Sequence, residues 1–306
     1  MKKRASRSPR SHEDYASLPT EQALDGHGDL ERRPTDDIVR LLLEEEARSQ
    51  AAAMRCRKDI VRAVEAVVSS LKAGGRLIYV GAGTSGRLGA LDAAELPPTF
   101  GAPFGQVLAL VAGGARALTR SVEGAEDRGD AARARLTRLR LGPNDVVCAI
   151  AASGVTPFAR AALAFAKEQA ARTIFITCVH DPNHERLADV VIAAEVGPEV
   201  LPGSTRLKGG TVTKIILNAI STTAMIRLHK VYRGRMVDVT ATNRKLRDRA
   251  TRILVELSGL DRAAAARLLQ RAKGRPKLAL AMHLLGADAE TARRRLDEVD
   301  DDLHRL

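Results

Sequence analysis

The chain has 306 residues, of which 45% are hydrophobic and 3% aromatic, and its formal net charge is +12. This size and apolar content suit one large globular domain, or one domain with a small appendage. No uncharged apolar run approaches the ~18 residues of a membrane-spanning helix, so we expect a soluble protein with no membrane partner. Basic residues are interspersed with acidic ones and aromatic stacking platforms are few, which favours a solvated arginine-rich surface over a nucleic-acid partner.

Five short, β-branched apolar runs alternate with helical stretches after the glycines near residue 75. Because the runs are apolar throughout, both faces of the sheet should be covered, which predicts a three-layer α/β/α sandwich around a five-stranded parallel sheet. Two helices should precede the sheet and one long amphipathic helix, from about residue 204, should close it. The runs are RLIYV (76–80), QVLALV (106–111), DVVCAIAA (145–152), TIFITCV (173–179) and DVVIAAEV (189–196).

Composition divides the chain into four parts. The basic N-terminus lacks the apolar stretch of a secretory signal and is expected to be a disordered tail. Beyond about residue 240, short Ala/Leu/Arg helices with turn signals predict a small three-helix appendage. The predicted boundaries are 1–17 for the tail, 18–66 for the N-terminal helices, 67–240 for the sandwich and 241–306 for the appendage.

The cysteines and histidines do not form a recognisable metal motif. Cys56, Cys148 and Cys178 are far apart and have no metal-ligand spacing, which indicates a reducing cytoplasm. His180 and His184 are four residues apart, but a proline lies between them and no H-E-x-x-H is present. We therefore predict a turn at a strand end and no metal.

The first predicted strand is followed by GAGTSG (81–86), which matches G-x-G-x-x-G and precedes a helix. Backbone N–H groups and the helix dipole favour an anion in such a loop. A dinucleotide fold also needs an acidic residue at the end of the second strand, about 20 positions on, but the next carboxylate here is Glu123. No Gly-Lys-Ser/Thr follows, so a triphosphate P-loop is excluded.

Two further segments carry hydroxyls: SGVTP (153–157) after the third strand, and the Ser204-Thr205 pair, which has Lys208 close behind it. Loops at the carboxyl ends of parallel strands gather at one edge, and hydroxyls suit a monophosphate. The alternative is that each Ser or Thr is an ordinary helix N-cap. The candidate substrate-binding residues are Gly83, Thr84, Ser85, Gly86, Ser153, Gly154, Thr156, Ser204 and Lys208.

Five blocks resemble, in order and spacing, the N-acetylmuramic acid 6-phosphate etherase family of bacterial peptidoglycan recycling, whose members carry a sugar-isomerase (SIS) domain. The resemblance runs from about Leu18 to the C-terminus, and five ordered blocks are far more specific than a lone glycine loop. The blocks are GAGTSGRLGALDAAELPPTFG, AGGARALTRSVEGAED, IAASGVTPF, VGPEVLPGSTRLKGGTVTKIILNAIST and KVYRGRMVDVTATNRKL.

The resemblance implies a homodimer without metal or nucleotide cofactor, which cleaves the D-lactyl ether of a small-molecule sugar phosphate. It places the family's catalytic glutamates at Glu95, as acid toward the lactyl oxygen, and Glu126, as base at C2. Elimination needs two such groups of opposite protonation state. Three positions depart from the family pattern, Leu96, Val155 and Gly209. Of these, Val155 lies beside the expected phosphate, so it bears on substrate affinity.

Glu95 raises a geometric difficulty, because a straight helix places it about 13 Å from the glycine loop. Pro97 and Pro98 should stop that helix, leaving Glu95 on the last turn or in the following loop. Whether Glu95 serves its own site or that of a partner subunit stays open. Rival functions are a sugar-phosphate-sensing regulatory protein, an SIS transcription regulator and a ketose/aldose isomerase.

Overall fold

The computed structural model describes residues 18–239 and 244–306, so the tail predicted for residues 1–17 lies outside the described residues. Its centre is a five-stranded sheet in the order β2-β1-β3-β4-β5, and every neighbouring pair is parallel. The predicted sandwich with a five-stranded parallel sheet is therefore confirmed. The strands are β1 (Leu77–Gly81), β2 (Val107–Val111), β3 (Val146–Ile150), β4 (Arg172–Thr177) and β5 (Val190–Ala193).

Helices cover both faces of the sheet, and successive side chains of one strand enter different layers. Tyr79 of β1 packs into the core beneath α3, α4 and α7, whereas Ile78 and Val80 pack into the core beneath α5 and α6. This alternation follows from the pleat and explains why β1 is apolar at every position. The helices are α1 (Thr35–Glu46), α2 (Arg48–Arg55), α3 (Arg57–Lys72), α4 (Gly83–Phe100), α5 (Gly129–Arg138), α6 (Pro157–Glu168) and α7 (Lys208–Arg227).

The strand order creates a switch point beside β1. The chain leaves β1 for β2 on one side and later returns to β3 on the other side. The connections after β1 and β3 therefore diverge, and a crevice opens at the carboxyl ends of these two strands, where ligands of open α/β sheets bind.

Three expectations about the helices were wrong. The N-terminal region before β1 forms three helices rather than two, with breaks at Ala47 and Cys56. Helix α4 does not stop at Pro97 and Pro98 but continues to Phe100, because burial of Leu96 and Phe100 in the core outweighs the backbone bonds lost at the prolines. The long helix begins only at residue 208, since the preceding residues form turns.

Within residues 244–306 the C-terminal appendage has four α-helices and a core of its own, where three helices were predicted. A short antiparallel pair leads into it, and the Asp238 carboxylate bonds Lys230 at 2.5 Å and buried Lys277 at 3.0 Å. Although burial opposes it, the two ammonium groups hold the pKa of Asp238 below its usual value. The elements are β6 (Val231–Tyr232), β7 (Arg235–Met236), α8 (Arg244–Ser258), α9 (Arg262–Arg271), α10 (Pro276–Leu285) and α11 (Ala289–Glu298).

Candidate functional site

A cavity of about 470 Å³ lies at the carboxyl ends of β1 and β3. Three loops contribute to its wall, and two further segments complete it. The lining residues include Gly83, Thr84 and Ser85 of the first loop, Ser153, Val155 and Thr156 of the second, Gly203 and Thr205 of the third, and also Leu18, Glu21, Glu126 and Asp127.

The first loop presents an open helix end. Ala82 is the N-cap of α4 and offers no capping side chain, and the first intrahelical bond runs from the Gly86 N–H to the Ala82 carbonyl at 3.2 Å. The N–H groups of Gly83, Thr84 and Ser85 thus have no acceptor within the helix. Together with the helix dipole, they favour an anion in the cavity.

The second loop also leaves its hydroxyls uncommitted to capping. Thr156 is the N-cap of α6 but makes no side-chain cap bond, and Pro157 occupies the first helical position without an N–H. The Phe158 N–H instead donates to the main-chain carbonyl of Glu126 at 2.9 Å. Glu126 is thereby fixed beside the second loop, and neither α4 nor α6 supports the ordinary N-cap interpretation of these hydroxyls.

Two of the predicted glycines are buried beneath the cavity and allow close contacts that a larger residue would prevent. A Cβ on Gly86 would lie 2.5 Å from the Gly81 carbonyl oxygen, so only glycine permits this close approach between the strand end and the helix. Gly154 has φ +77° and packs on His184, whose Cε1 would lie 2.6 Å from an added Cβ. Both glycines are buried, and neither is among the lining residues of the cavity.

The third loop brings Thr205 to the cavity, but neither of its candidate substrate-binding residues, Ser204 and Lys208, is among the lining residues. Lys208 is only 1% exposed, forms a buried ion pair with Glu45 and donates to the Pro198 carbonyl at 2.6 Å. The ammonium of Lys208 is thus held inside the protein rather than at the cavity.

The start of α7 is already occupied by a protein carboxylate. Glu199 accepts from the Lys208 N–H at 3.1 Å and from the Gly209 N–H at 2.9 Å. Burial nevertheless raises the pKa of Glu199 above its usual value, against these bonds. The N-terminus of α7 is therefore a capped end that has no free site for a ligand.

Glu126 is exposed and lines the cavity, as do Glu21 and Asp127, which sequence reasoning missed. Asp127 lies in the GAED block next to Glu126, so that block was its only signal. Glu21 has no such motif: it reaches the site because the Gly203 N–H donates to the Thr20 carbonyl at 2.8 Å. Its carboxylate rests against Gly203, where an added Cβ would lie 2.9 Å from Oε2.

Glu95 is not brought to this cavity within one chain. It lies on α4, twelve residues after Gly83, and at ~1.5 Å per residue that is roughly 18 Å along the helix. Its side chain is exposed, in a stripe with Leu91, Ala94 and Pro98. These positions recur at i, i+3, i+4 and i+7, so the stripe is one apolar helix face that carries a single carboxylate.

A larger cavity of about 930 Å³ lies elsewhere, beside the amino ends of β4 and β5. Two of its cations are already engaged: Arg62 bonds Asp59 and the Asp189 carbonyl, and Lys167 bonds the Arg186 carbonyl. Ligands of parallel sheets bind at the opposite edge, so the smaller cavity is the candidate site.

Metal and membrane features are not found in the described ranges. Over residues 18–239 and 244–306, His, Cys, Asp and Glu side chains form no group of three or more that could hold a metal ion. Among the helices of those same ranges, none combines the length and apolarity needed to cross a bilayer.

The five-stranded parallel sandwich has the fold of an SIS domain. Residues 59–167 match the family model described as the glucokinase regulatory protein N-terminal SIS domain. The N-acetylmuramic acid 6-phosphate etherase of Salmonella dublin is 47% identical over 88% of this chain and 90% of its own length. That of Gloeothece citriformis is 47% identical over 91% of each chain. The chain belongs to the N-acetylmuramic acid 6-phosphate etherase family, as the five blocks predicted.

Solved structures of lower similarity were also found. A phosphoheptose isomerase from Neisseria gonorrhoeae is 16% identical and covers 62% of this chain and 99% of its own, with a TM-score of 0.47. The sugar isomerase domain of an RpiR transcription factor from Sphaerobacter thermophilus is 18% identical and covers 61% and 94%, with a TM-score of 0.42.

Proposed function

We propose that this chain is a carbon-oxygen lyase that cleaves the D-lactyl ether of N-acetylmuramic acid 6-phosphate, giving N-acetylglucosamine 6-phosphate and D-lactate. Membership of the etherase family supports this reaction. The observation that carries the proposal is the position of Glu126, which lines the same cavity as Ser/Thr residues at the starts of α4 and α6 where no side chain caps either helix.

The phosphate would bind at the open end of α4. Thr84 and Ser85 supply hydroxyls and free N–H groups there, and Ser153 and Thr156 face them from the second loop. No lysine or arginine of the described ranges lines this cavity, so neutral dipoles would hold the anion.

The reaction needs a base near C2 of the open-chain sugar. Glu126 would take the C2 proton, the electron pair would form the C2–C3 double bond, and the C3–O bond would break with its electrons on the lactyl oxygen. An acid must protonate that oxygen, because an alkoxide is a poor leaving group, and water then adds at C3. By resemblance Glu126 is the base and Glu95 the acid.

Glu95 requires a second subunit in this proposal. Its distance along α4 from the phosphate loop exceeds the length of a hexose phosphate, and it lies in the exposed apolar stripe with Leu91. We propose a homodimer in which this stripe is covered and Glu95 enters the partner's cavity. The reaction would take place in the cytoplasm and without a cofactor.

The function is tested by incubating the purified chain with N-acetylmuramic acid 6-phosphate in isotopically labelled water. D-lactate should be released, with label at C2 and on the C3 oxygen of the product. Glu126→Gln should lower the rate at least about 100-fold and keep sugar-phosphate binding, since a positioned base contributes about that much. Asp130→Asn, an exposed carboxylate outside the cavity, is the matched control. Binding without any lactate release by the unmodified chain would indicate a sensor instead.

The subunit arrangement has its own test. Mixing Glu95→Gln with Glu126→Gln subunits gives hybrid dimers in which one site holds both glutamates, if Glu95 acts across the interface. About a quarter of wild-type activity should return after random exchange. No recovery, with dimer exchange verified, would place both glutamates in the site of one chain.

A further inference from the structure

A second, smaller cavity of about 170 Å³ adjoins the candidate site. The two cavities share Ala82, Gly83 and Glu126, so Glu126 lies at their junction. The lining of the smaller cavity also includes Arg87 and Arg120. Among the residues that the structure describes, the lining of the candidate site contains no lysine or arginine. The two connected cavities therefore differ in charge.

The Arg87 guanidinium is fixed in place but has no counter-ion. Its Nε donates to the Ala117 carbonyl at 2.9 Å and its Nη2 to the Arg120 carbonyl at 3.2 Å. Both acceptors are neutral, and within residues 18–239 and 244–306 no carboxylate lies within ion-pair distance of this half-buried cation. Partly desolvated cations are normally paired, so an anion in the cavity would be stabilised here.

Arg120 adds a second cation at the mouth of the cavity. It is exposed, and it too forms no ion pair in the part of the chain that the structure describes. Of the two carboxylates in the lining, Glu123 accepts a hydrogen bond from the Ser121 hydroxyl at 2.8 Å. Glu126 is the carboxylate assigned to the reaction. Neither neutralises the arginines in the described contacts.

We infer that the smaller cavity binds the carboxylate of the lactyl group, with Arg87 and Arg120 as its ligands. This inference rests on the proposed function. With the phosphate at the open end of α4 and C2 at Glu126, the C3 substituent continues past Glu126 into this cavity. At roughly 30 Å³ per water-sized group, the cavity volume holds five or six such groups, and a lactate ion has six non-hydrogen atoms.

Arg120→Gln tests the site against Arg116→Gln as a matched control. Both residues are exposed arginines on the same segment, and only Arg120 lines the cavity. Loss of a charge-assisted hydrogen bond should raise KM for N-acetylmuramic acid 6-phosphate about tenfold to 100-fold. Competitive inhibition by N-acetylglucosamine 6-phosphate, which lacks the lactyl group, should change less than about twofold. Equal losses for both sugars would overturn the inference, as would no loss for either.

The role of Arg87 is tested with an altered ligand, because replacing Arg87 also removes its hydrogen bonds to the Ala117 and Arg120 carbonyls. An analogue whose lactyl carboxylate is an amide should bind the wild-type chain about tenfold or more weakly than the acid. In Arg87→Lys and Arg87→Met chains that keep the wild-type melting temperature, this preference for the acid should shrink. An unchanged preference would overturn the inference.

Failure of the inference and failure of the proposed function give different results. If the wild-type chain released no D-lactate, the proposed reaction would be contradicted. Titration of N-acetylmuramic acid 6-phosphate and its amide into the same chain would still judge the carboxylate site, since binding needs no turnover. Lactate release with no preference for the acid would leave the reaction standing and remove the site.

Discussion

Two helix N-termini lie side by side in this molecule, and only one of them is capped by a protein side chain. The start of α4 is open, with no capping side chain. The start of α7 is closed by both oxygens of Glu199. They are neighbours, since a Cβ on Gly210 of α7 would lie 3.5 Å from Thr84 Cγ2 of α4. Hydroxyl residues and glycines lie at or just before both helix starts, so the local pattern does not distinguish them.

The difference comes from carboxylates supplied by other segments. Glu199 caps α7, and Glu45 of α1 neutralises the lysine at its start. No equivalent group reaches α4 among the described residues. An anion-binding helix end is therefore defined as much by the absence of a protein carboxylate as by the presence of N–H groups.

The largest expected effect is on the stability contributed by the capped N-terminus of α7, the closed end. Lys208→Met removes the buried partner of Glu45 and leaves it only the exposed Arg48 at 3.0 Å, which should lower the free energy of unfolding by up to about 3–5 kcal/mol. Combining it with Glu45→Leu should recover most of the loss. Urea unfolding measures both. Lys72→Met, which removes an exposed ion pair with Asp300, is the control and should cost less than about 1 kcal/mol. A small loss for Lys208→Met with weakened sugar-phosphate binding would instead make Lys208 a ligand.

The open end can be converted into a closed one. Ala82 has the extended backbone, φ −110° and ψ 156°, that an N-cap residue adopts, so Ala82→Asp should cap α4 and add about 0.5–2 kcal/mol of stability. The new carboxylate would repel the phosphate, and affinity should fall about 100-fold or more by calorimetric titration. Ala82→Asn gives a neutral cap and should lose less affinity. Equal losses for both variants would point to a steric effect and against the open-end interpretation.

Opening the closed end should have a moderate effect. Glu199→Ala removes the cap of α7 and should cost about 1–2 kcal/mol in urea unfolding, because two buried N–H groups lose their acceptor. Glu199→Gln keeps one acceptor oxygen and should cost less. If the alanine variant were as stable as the wild type, water or a neighbouring group would be capping α7 instead.

The smallest effect is a pH dependence of the unfolding free energy that comes from His184, on which Gly154 of the second loop packs. Burial lowers the pKa of this imidazole, against the opposing influence of Asp181. Between that lowered pKa and the unfolded value of about 6.5, the unfolded chain binds a proton that the folded chain does not. This part of the stability is present above pH 6.5 and is lost as pH falls, by at most about 1.4 kcal/mol per pH unit. The difference in unfolding free energy from His184→Gln, measured across this range, should show that slope; a flat difference contradicts the assignment.

The sheet was predictable from sequence because each strand lies in a short, largely apolar run that contains β-branched residues. The positions of two site loops followed from the same reasoning, since loops after β1 and β3 must share an edge of a parallel sheet. Glu126 and the family were reached through sequence blocks. These features are local or are fixed by topology.

What sequence reasoning missed depends on contacts between distant segments. Lys208 was a reasonable phosphate ligand by position, but its partner Glu45 lies 163 residues away in the chain. Glu21 reaches the cavity because the neighbouring Thr20 carbonyl accepts a backbone bond from the Gly203 N–H. The path of α4 through Pro97 and Pro98 depends on packing that outweighs a local rule.

The buried Glu45–Lys208 pair has a consequence for how the protein is made. Its two members are separated by 163 residues, which at about 5–20 residues per second is roughly 8–33 s of translation. Throughout that interval Glu45 of a nascent chain has only the exposed Arg48 as counter-ion, because its buried partner Lys208 has not yet been synthesised. The N-terminal helices should therefore dock late, only after α7 has left the ribosome.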